Sequence, residues 1–272
     1  MRGMMLAGLL QGIAWVSLLP AEEITIVDQR DYQDSRNACG PASVLNLLKF
    51  SQSPYRGIYG DILGATDGVK MRFVVDRYFR HRDSLVYPGQ KRWGVHGVAA
   101  ADLITGLNEL LADHEVNQLN ASYLDRRDGE PGLDFAHRIR ISLETSLDNG
   151  VAPILSLRSY VVREQDDAAG EFAWETAVHH NVVVTEVGPF QAESGFRVTA
   201  LDPWRGKAIS IFLYREGAQS FRAIKGVQPT GKWLDGRPFL VAAAPEAVSL
   251  VPVNLEWHER FIIVANFLIG DF

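Results

Sequence analysis

The sequence predicts an α+β fold in which a helical segment comes first and an antiparallel sheet follows and packs against it. Between residues 39 and 149, apolar residues recur at the spacing of amphipathic helices, whereas short segments rich in β-branched and aromatic residues follow Gly150. Helices that precede a run of strands, rather than alternate with them, favour an antiparallel sheet. The 272 residues, 47% of them hydrophobic, are enough for one sizeable core, and we expect one domain over residues 22–272.

Residues 1–21 are predicted to be a targeting segment. Arg2 gives a short basic start, and residues 4–19 are mostly apolar but form a short run for a membrane span. Ala21 is small enough to stand at a cleavage site. We therefore expect export to the periplasm or the cell exterior, with an uncleaved membrane anchor at residues 4–19 or a buried helix as the alternatives.

The helical segment is divided by loops into four predicted helices. Each has apolar residues at helical spacing, and Gly150 follows the last one, where glycine commonly ends a helix. These helices span residue 39 to about residues 51–54, then residues 69–80, 98–113 and 134–149. A short strand is predicted at residues 23–27, before the first helix. Residues 89–97 and 117–133 are predicted loops, the second with room for one short strand.

The second half of the chain contains six predicted strands, each bounded by turn-forming residues. They span residues 151–157, 181–187, 196–201, 208–214, 238–243 and 260–267. The strands within residues 231–272 are predicted to be an addition to the domain, because they match no pattern known to us.

Cys39 is the only cysteine in the chain and is the first candidate functional residue. Exported proteins usually hold cysteines in disulfides, so a lone cysteine behind an export signal indicates free-thiol chemistry. Gly40 and Pro41 follow it and open a helix, and the N-terminus of a helix favours a thiolate through its free N–H groups and its dipole. The alternative is a small buried hydrophobic residue, which describes most free cysteines.

His180 and Asp202 are the predicted partners of the thiol. A cysteine nucleophile needs a base and a group that orients the base. A hairpin with its turn near Gln191 would place His180 directly opposite Asp202, and a slip of one residue would select His179 instead. The alternative is a solvated strand end followed by an Asp-Pro turn.

Two further residues complete the predicted site. Gln33 lies six residues before Cys39, where its amide and the Cys39 N–H can form a two-donor oxyanion hole. Trp204 follows Asp202 by two residues, where its indole can shield the hydrogen bond between His180 and Asp202 from water. A core aromatic residue is the alternative for Trp204.

These motifs resemble the papain-like cysteine peptidases. The resemblance is closest to the bacteriocin-processing group, which removes double-glycine leaders, in a form without transporter domains. It rests on four motifs: Gln33, the Cys-Gly-Pro-Ala run, the histidine before a valine-rich strand, and the Leu-Asp-Pro-Trp-Arg-Gly segment at Asp202. It covers roughly residues 24–214. It implies a two-lobed fold, with the cysteine helix in an N-terminal helical lobe that packs on a C-terminal antiparallel sheet lobe. It also implies a Cys-His-Asp triad in the cleft between the lobes.

The sequence therefore predicts an exported thiol hydrolase, a cysteine peptidase acting on a peptide or protein. An acyl or γ-glutamyl transferase with the same triad, or a non-catalytic peptide-binding domain, are the alternatives. The net charge of −6 and the absence of a dense basic cluster argue against nucleic acid as a partner. No metal or organic cofactor is expected, since the spacing of Asp76, His81 and Asp83 matches no metal motif.

Overall fold

The computed structural model describes residues 24–95, 97–163, 173–191, 194–214, 239–252 and 260–272. The predicted targeting segment at residues 1–21 lies outside these residues. A search of the described residues for membrane-spanning helices finds none with the length and apolar character required.

Five α-helices lie in the first half of the chain as far as the structure describes it. They are α1 (Cys39–Phe50), α2 (Tyr55–Asp61), α3 (Asp67–Val74), α4 (Ala100–Asp113) and α5 (Gly132–Asp148). The side chain of Thr66 accepts a hydrogen bond from the Val69 N–H and caps the start of α3. Gly150 follows α5 with a φ of 78°, a left-handed conformation that glycine adopts without strain. The four predicted helices are therefore present, with α2 in addition.

The predicted strand at residues 23–27 is wrong, because residues 24–28 pair with no strand. The backbone of Val27 instead bonds to one side chain of α1. The Val27 N–H donates to Asn46 Oδ1 at 2.8 Å, and Asn46 Nδ2 donates to the Val27 carbonyl at 3.2 Å. A buried asparagine thus satisfies the backbone groups that a neighbouring strand would otherwise pair.

Seven strands form one antiparallel sheet. They are β1 (Asn120–Tyr123), β2 (Ile154–Arg163), β3 (Ala173–Gln191), β4 (Gly195–Asp202), β5 (Lys207–Tyr214), β6 (Leu240–Ala243) and β7 (Arg260–Gly270). The strand order is β1-β7-β2-β3-β4-β5-β6, and β6 also pairs with β7. The six strands β2 to β7 therefore form a closed cylinder, and β1 extends from one end of β7.

The predicted papain-like fold, a helical lobe packed on a separate sheet lobe, is wrong: the structure is a closed six-stranded antiparallel sheet with five short helices. Strand β7 closes the sheet because it pairs with β2 along one edge and with β6 on the other. Register shifts in the β2–β3, β2–β7 and β3–β4 pairings mark bulges, which bend strands and increase their twist. Closure leaves β2–β6 without a free edge over the paired lengths.

Both faces of β3 are buried, which explains its continuous run of valines. Val182 and Val184 belong to a cluster inside the closed sheet, with residues of α5. Val183 points the other way, into a second cluster built mainly from α1 to α4. Helix α1 therefore packs on the outer face of β3. This packing brings the first residue of α1 beside the histidines of β3.

Candidate active site

Cys39 is the first residue of α1, as the sequence predicts. The first hydrogen bond of the helix runs from the Ala42 N–H to the Ala38 carbonyl at 2.9 Å, and Pro41 has no N–H to leave unpaired. The N–H groups of Cys39 and Gly40 consequently have no partner within the helix. Cys39 as a residue is partly exposed, although burial of its thiol is large enough to affect its pKa.

Helix α1 is held closely against β3. Ser43 Oγ donates to the Asn181 carbonyl at 3.0 Å. A Cβ added to Gly40 would lie 3.2 Å from a methyl group of Leu103 in α4 and 3.7 Å from Asn181 Nδ2. Glycine at position 40 therefore allows the start of α1 to approach β3 and α4, and this approach fixes where the Cys39 sulfur lies.

The predicted hairpin register is wrong by two residues. Gln191 faces Gly195 across the turn, and two irregularities in β3 bring the pairing to Val183 opposite Leu201. Continuing this register places Asp202 opposite Val182 rather than His180. A shift of two residues keeps every side chain on its original side of the strand. His180 and Asp202 are therefore diagonal neighbours, still close enough for long side chains to meet.

His180 and Asp202 form a buried hydrogen-bonded pair. His180 Nε2 lies 2.7 Å from Asp202 Oδ1, and each residue is only 3% exposed. The same carboxylate oxygen accepts a hydrogen bond from the Trp204 backbone N–H at 2.8 Å. Two donors thus fix the Asp202 carboxylate, which in turn fixes the orientation of the His180 ring.

The thiol of Cys39 completes the chain of contacts. His180 and the Asn181 backbone lie close enough to lower its pKa. Nε2 of His180 is bonded to Asp202, which leaves Nδ1 as the ring nitrogen available to the thiol. Asn181 Nδ2 donates to the Cys39 sulfur at 3.7 Å. Two residues of β3, His180 and Asn181, therefore interact with the thiol.

These contacts shift the pKa values of the thiol and the imidazole in opposite directions. Burial alone raises the pKa of Cys39, but hydrogen bonds from His180 and Asn181 outweigh it and lower this pKa below its ordinary value. Burial likewise lowers the pKa of His180, but the hydrogen bonds with Asp202 and Cys39 outweigh it and raise this pKa to about 9. Both shifts favour a thiolate beside an imidazolium over a neutral thiol beside a neutral imidazole.

His179 has the opposite character. Burial, the charge of Arg158 and the charge of His180 together lower the pKa of His179 to about 3. Its imidazole is neutral across the physiological range. Of the two adjacent histidines, His180 is the one that the structure places against both Cys39 and Asp202.

The structure does not bring Gln33 to the thiol. Gln33 lies on an exposed turn, and no described hydrogen bond joins it to Cys39 or His180. The buried glutamine of this loop is Gln29, whose Nε2 donates to the Ser35 carbonyl at 2.6 Å. The oxyanion role of Gln33 remains a prediction.

The predicted shielding role of Trp204 also remains a prediction. Its side chain is half-buried, and the hydrogen bond that it makes to Asp202 comes from its backbone N–H.

Asn181 is the site residue that sequence reasoning missed. The sequence alone assigned it no role. In the structure it is fully buried, and its Oδ1 accepts a hydrogen bond from Ser156 Oγ at 2.5 Å. That bond turns the amide so that Nδ2 faces Cys39. The sequence did contain one signal for it: Asn181 is a polar residue at the start of a run of valines, and that run is buried on both faces of β3.

We expect Asn181→Ala to raise the pKa of the Cys39 thiol. The substitution removes one donor to the sulfur and leaves the backbone N–H of residue 181 in place; a hydrogen bond to a charged group contributes about 1.5–3 kcal/mol, or roughly one to two pKa units. The rate of Cys39 alkylation as a function of pH measures the shift. Ser156→Ala is the matched control, because it frees the amide without removing the donor and should shift the pKa less. An unchanged profile in Asn181→Ala would show that the amide does not stabilise the thiolate.

The described residues contain no group of three or more histidine, cysteine, aspartate or glutamate side chains that could hold a metal ion. Two of the residues considered in the sequence are engaged otherwise. Asp76 forms an ion pair with Arg80 at 2.7 Å, and Asp83 forms one with Lys91 at 2.6 Å.

Comparison with protein-family models, with curated proteins and with solved structures finds no match to this chain. Function is therefore inferred from the residues of the chain and their geometry.

Proposed function

We propose that this protein is a thiol hydrolase, a cysteine peptidase that acts on a peptide or protein substrate. The observation that supports the proposal most strongly is the buried hydrogen bond between His180 and Asp202 beside the Cys39 thiol, whose pKa His180 lowers. A nucleophile, a base and a group that orients the base are the three parts that covalent acyl transfer requires. A structural cysteine has no need of a buried histidine–carboxylate pair.

The reaction follows from these positions. His180 holds the Cys39 proton, and the thiolate attacks the carbonyl carbon of the scissile amide to form a tetrahedral intermediate. The C–N bond breaks as imidazolium His180 gives its proton to the leaving amine, which leaves an acyl thioester on Cys39. Water, deprotonated by His180, then attacks the thioester and releases a carboxylic acid and the thiol. Asp202 holds the ring orientation and stabilises its positive charge throughout.

The oxyanion of the tetrahedral intermediate needs hydrogen-bond donors. The Cys39 N–H at the start of α1 is one, because it has no partner within the helix. The Gln33 amide is the second donor in this proposal, and its exposed side chain must turn towards the bound substrate to act. Catalytic hydrogen bonds are often formed only once substrate is bound.

Export is a further part of the proposal, and it rests on the sequence of residues 1–21. The basic start at Arg2 and the apolar run at residues 4–19 support it. The triad is compatible with removal of this segment and equally with its retention as a membrane anchor.

Turnover should depend on pH with a maximum between the two perturbed pKa values. Activity rises as pH increases through the lowered pKa of Cys39, because the thiolate forms there. It falls as pH increases through about 9, because His180 then loses the proton that the leaving amine requires. Hydrolysis of a peptide library by the full chain, followed by mass spectrometry from pH 4 to pH 11, measures the profile. Activity that continues to rise above pH 10 would contradict the role of His180 as the acid.

The alternative functions give different results in the same experiment. An acyl transferase would form amide products when an amine is added and little free acid without it. A non-catalytic peptide-binding domain would bind library members and release none as fragments.

A further inference from the structure

A cleft of about 560 Å³ is lined in part by residues that neighbour the triad in the chain. It is formed by the segment that leads into α4 and the first residues of α4, by β1, β2, β3 and β7, and by the segment that leads into α1. Two of its lining residues are close to the triad in sequence: Asn37 is two residues before Cys39, and His179 directly precedes His180. The lining therefore comes within two residues of Cys39 and one residue of His180 along the chain.

The lining of the cleft is positively charged. Its charged members among the described residues are all basic: Arg36, Lys91, Arg92 and Arg158. Two of these charges are already neutralised, since Lys91 is bonded to Asp83 at 2.6 Å and Arg92 is bonded to Glu109 at 2.9 Å.

Arg158 and Arg36 differ from these two. No carboxylate pairs with either guanidinium in the described part of the chain, and Arg36 is exposed whereas Arg158 is half-buried. Among the described residues, Arg158 is thus the partly desolvated cation of the cleft without a paired carboxylate.

Four lining residues also carry buried polar atoms without a hydrogen-bond partner. These atoms are Arg92 Nε, Arg158 Nε, His179 Nε2 and Asn266 Oδ1. A buried polar group left unpaired costs about 1–3 kcal/mol, and native structures contain few of them. Four in one cleft, beside an arginine that no described carboxylate pairs, indicate that a ligand completes the hydrogen bonding.

The strand register explains why the groups of Arg158, His179 and Asn266 converge. Arg158 in β2 is paired directly with His179 in β3, so the two side chains stand on the same face. Asn266 lies at a bulge in β7, because Ser156 pairs with Phe267 whereas Leu157 pairs with Ala265. The extra residue at a bulge is free of the regular alternation, which allows its side chain to turn towards a neighbouring site.

We propose that this cleft binds a carboxylate of the substrate, with the Arg158 guanidinium as its charged partner and His179 and Asn266 as neutral hydrogen-bonding groups. The inference rests on the proposed peptidase function and adds a substrate class to it: peptides with an acidic residue, or a free C-terminus, near the scissile bond. The planar guanidinium fork matches a carboxylate and can bind it through two parallel hydrogen bonds.

The neutral state of His179 fits this assignment. With a pKa of about 3, its imidazole adds no second charge beside Arg158 and can present an N–H to a carboxylate oxygen. The amide of Asn266 can likewise present its NH₂ group after a half-turn of the side chain.

Binding of blocked peptides to the full chain carrying Cys39→Ala tests the inference without requiring turnover. The probes are alanine hexapeptides, acetylated and amidated, with one Glu placed at each position in turn, and a matched set with Gln. A third probe has no Glu and a free C-terminal carboxylate, so that a side-chain carboxylate and a terminal carboxylate are distinguished. We expect the best Glu peptide, or the free-carboxylate peptide, to bind at least about tenfold more tightly than its neutral counterpart.

Two variants in this background locate the effect. Arg158→Gln should remove the preference for the carboxylate and leave binding of the neutral peptide within about twofold. Lys91→Gln is the matched control: it removes one positive charge from the same cleft, but that charge is already paired with Asp83, so the preference should persist.

Equal binding of all charged and neutral pairs by the Cys39→Ala chain would overturn the inference, whatever the folding of the variants. Equal losses of preference in Arg158→Gln and Lys91→Gln would overturn it too, because they would indicate general attraction rather than a site. Cleavage of the same peptides by the unmodified chain is measured in parallel. A carboxylate preference in binding without any cleavage would reject the peptidase proposal and leave the carboxylate site standing.

Discussion

Replacing Cys39 with alanine should abolish peptide hydrolysis. Removal of a catalytic nucleophile lowers kcat by about 10⁵–10⁶-fold, because the covalent pathway is lost and only binding and oxyanion stabilisation remain. The fold should survive, since Cys39 is partly exposed at a helix terminus and its loss opens no cavity in the core. Initial rates on the best library peptide, together with a thermal unfolding curve, measure both effects.

Cys39→Ser is the matched control for this prediction. It keeps the size and polarity of the side chain, but an alcohol beside His180 is far less ionised than a thiol and should also be nearly inactive. Hydrolysis retained in Cys39→Ala, with the protein folded, would end the peptidase proposal.

Replacing His180 with glutamine should reduce activity to nearly the level of the Cys39 variant. The glutamine amide can still donate to Asp202, which avoids leaving a buried carboxylate with one donor fewer, but it cannot accept or deliver a proton. Members of a catalytic unit have strongly non-additive effects, so Cys39→Ala with His180→Gln should be little worse than Cys39→Ala alone. Steady-state kinetics of the single and double variants measure this.

His179→Gln is the neighbouring control, with Cys39 alkylation as the readout. His179 makes no contact with the thiol, so the pH dependence of alkylation should match that of the native chain. A loss of thiol reactivity in His179→Gln, with normal reactivity in His180→Gln, would show that the base has been assigned to the wrong histidine.

The local structure of this chain could be predicted from its sequence to a large extent. Helix α1 begins at Cys39 as the Gly40-Pro41 pair indicates, and the six predicted strands after Gly150 correspond to β2–β7. Both signals are local, because they depend on residue spacing and on turn-forming residues within a few positions.

The closure of the sheet could not be predicted in the same way. It depends on β7 pairing with both β2 and β6, and β2 lies about 100 residues earlier in the chain. Nothing in the alternation of apolar residues along one strand specifies its neighbours. Bulges such as those between Val184 and Glu186 are equally hidden, although they set the final register of the hairpin.

The site itself was partly predictable for a physical reason. His180 and Asp202 remain partners although the register differs by two residues. Side chains alternate between the two faces of a strand, so a shift of two residues leaves both side chains on the predicted face and changes only which residue lies directly opposite. The contact between Asn181 and Cys39 depends on how α1 packs against β3, which no spacing along the chain reveals.

The pH dependence of Cys39 alkylation by iodoacetamide, in the full chain, tests most directly the claim that His180 holds Cys39 as a thiolate. The measurement needs no substrate. The account predicts half-maximal reactivity clearly below pH 8.5, the ordinary thiol pKa, and a shift of this midpoint towards higher pH in His180→Gln. A single midpoint at or above pH 8.5, unchanged by His180→Gln, would contradict it.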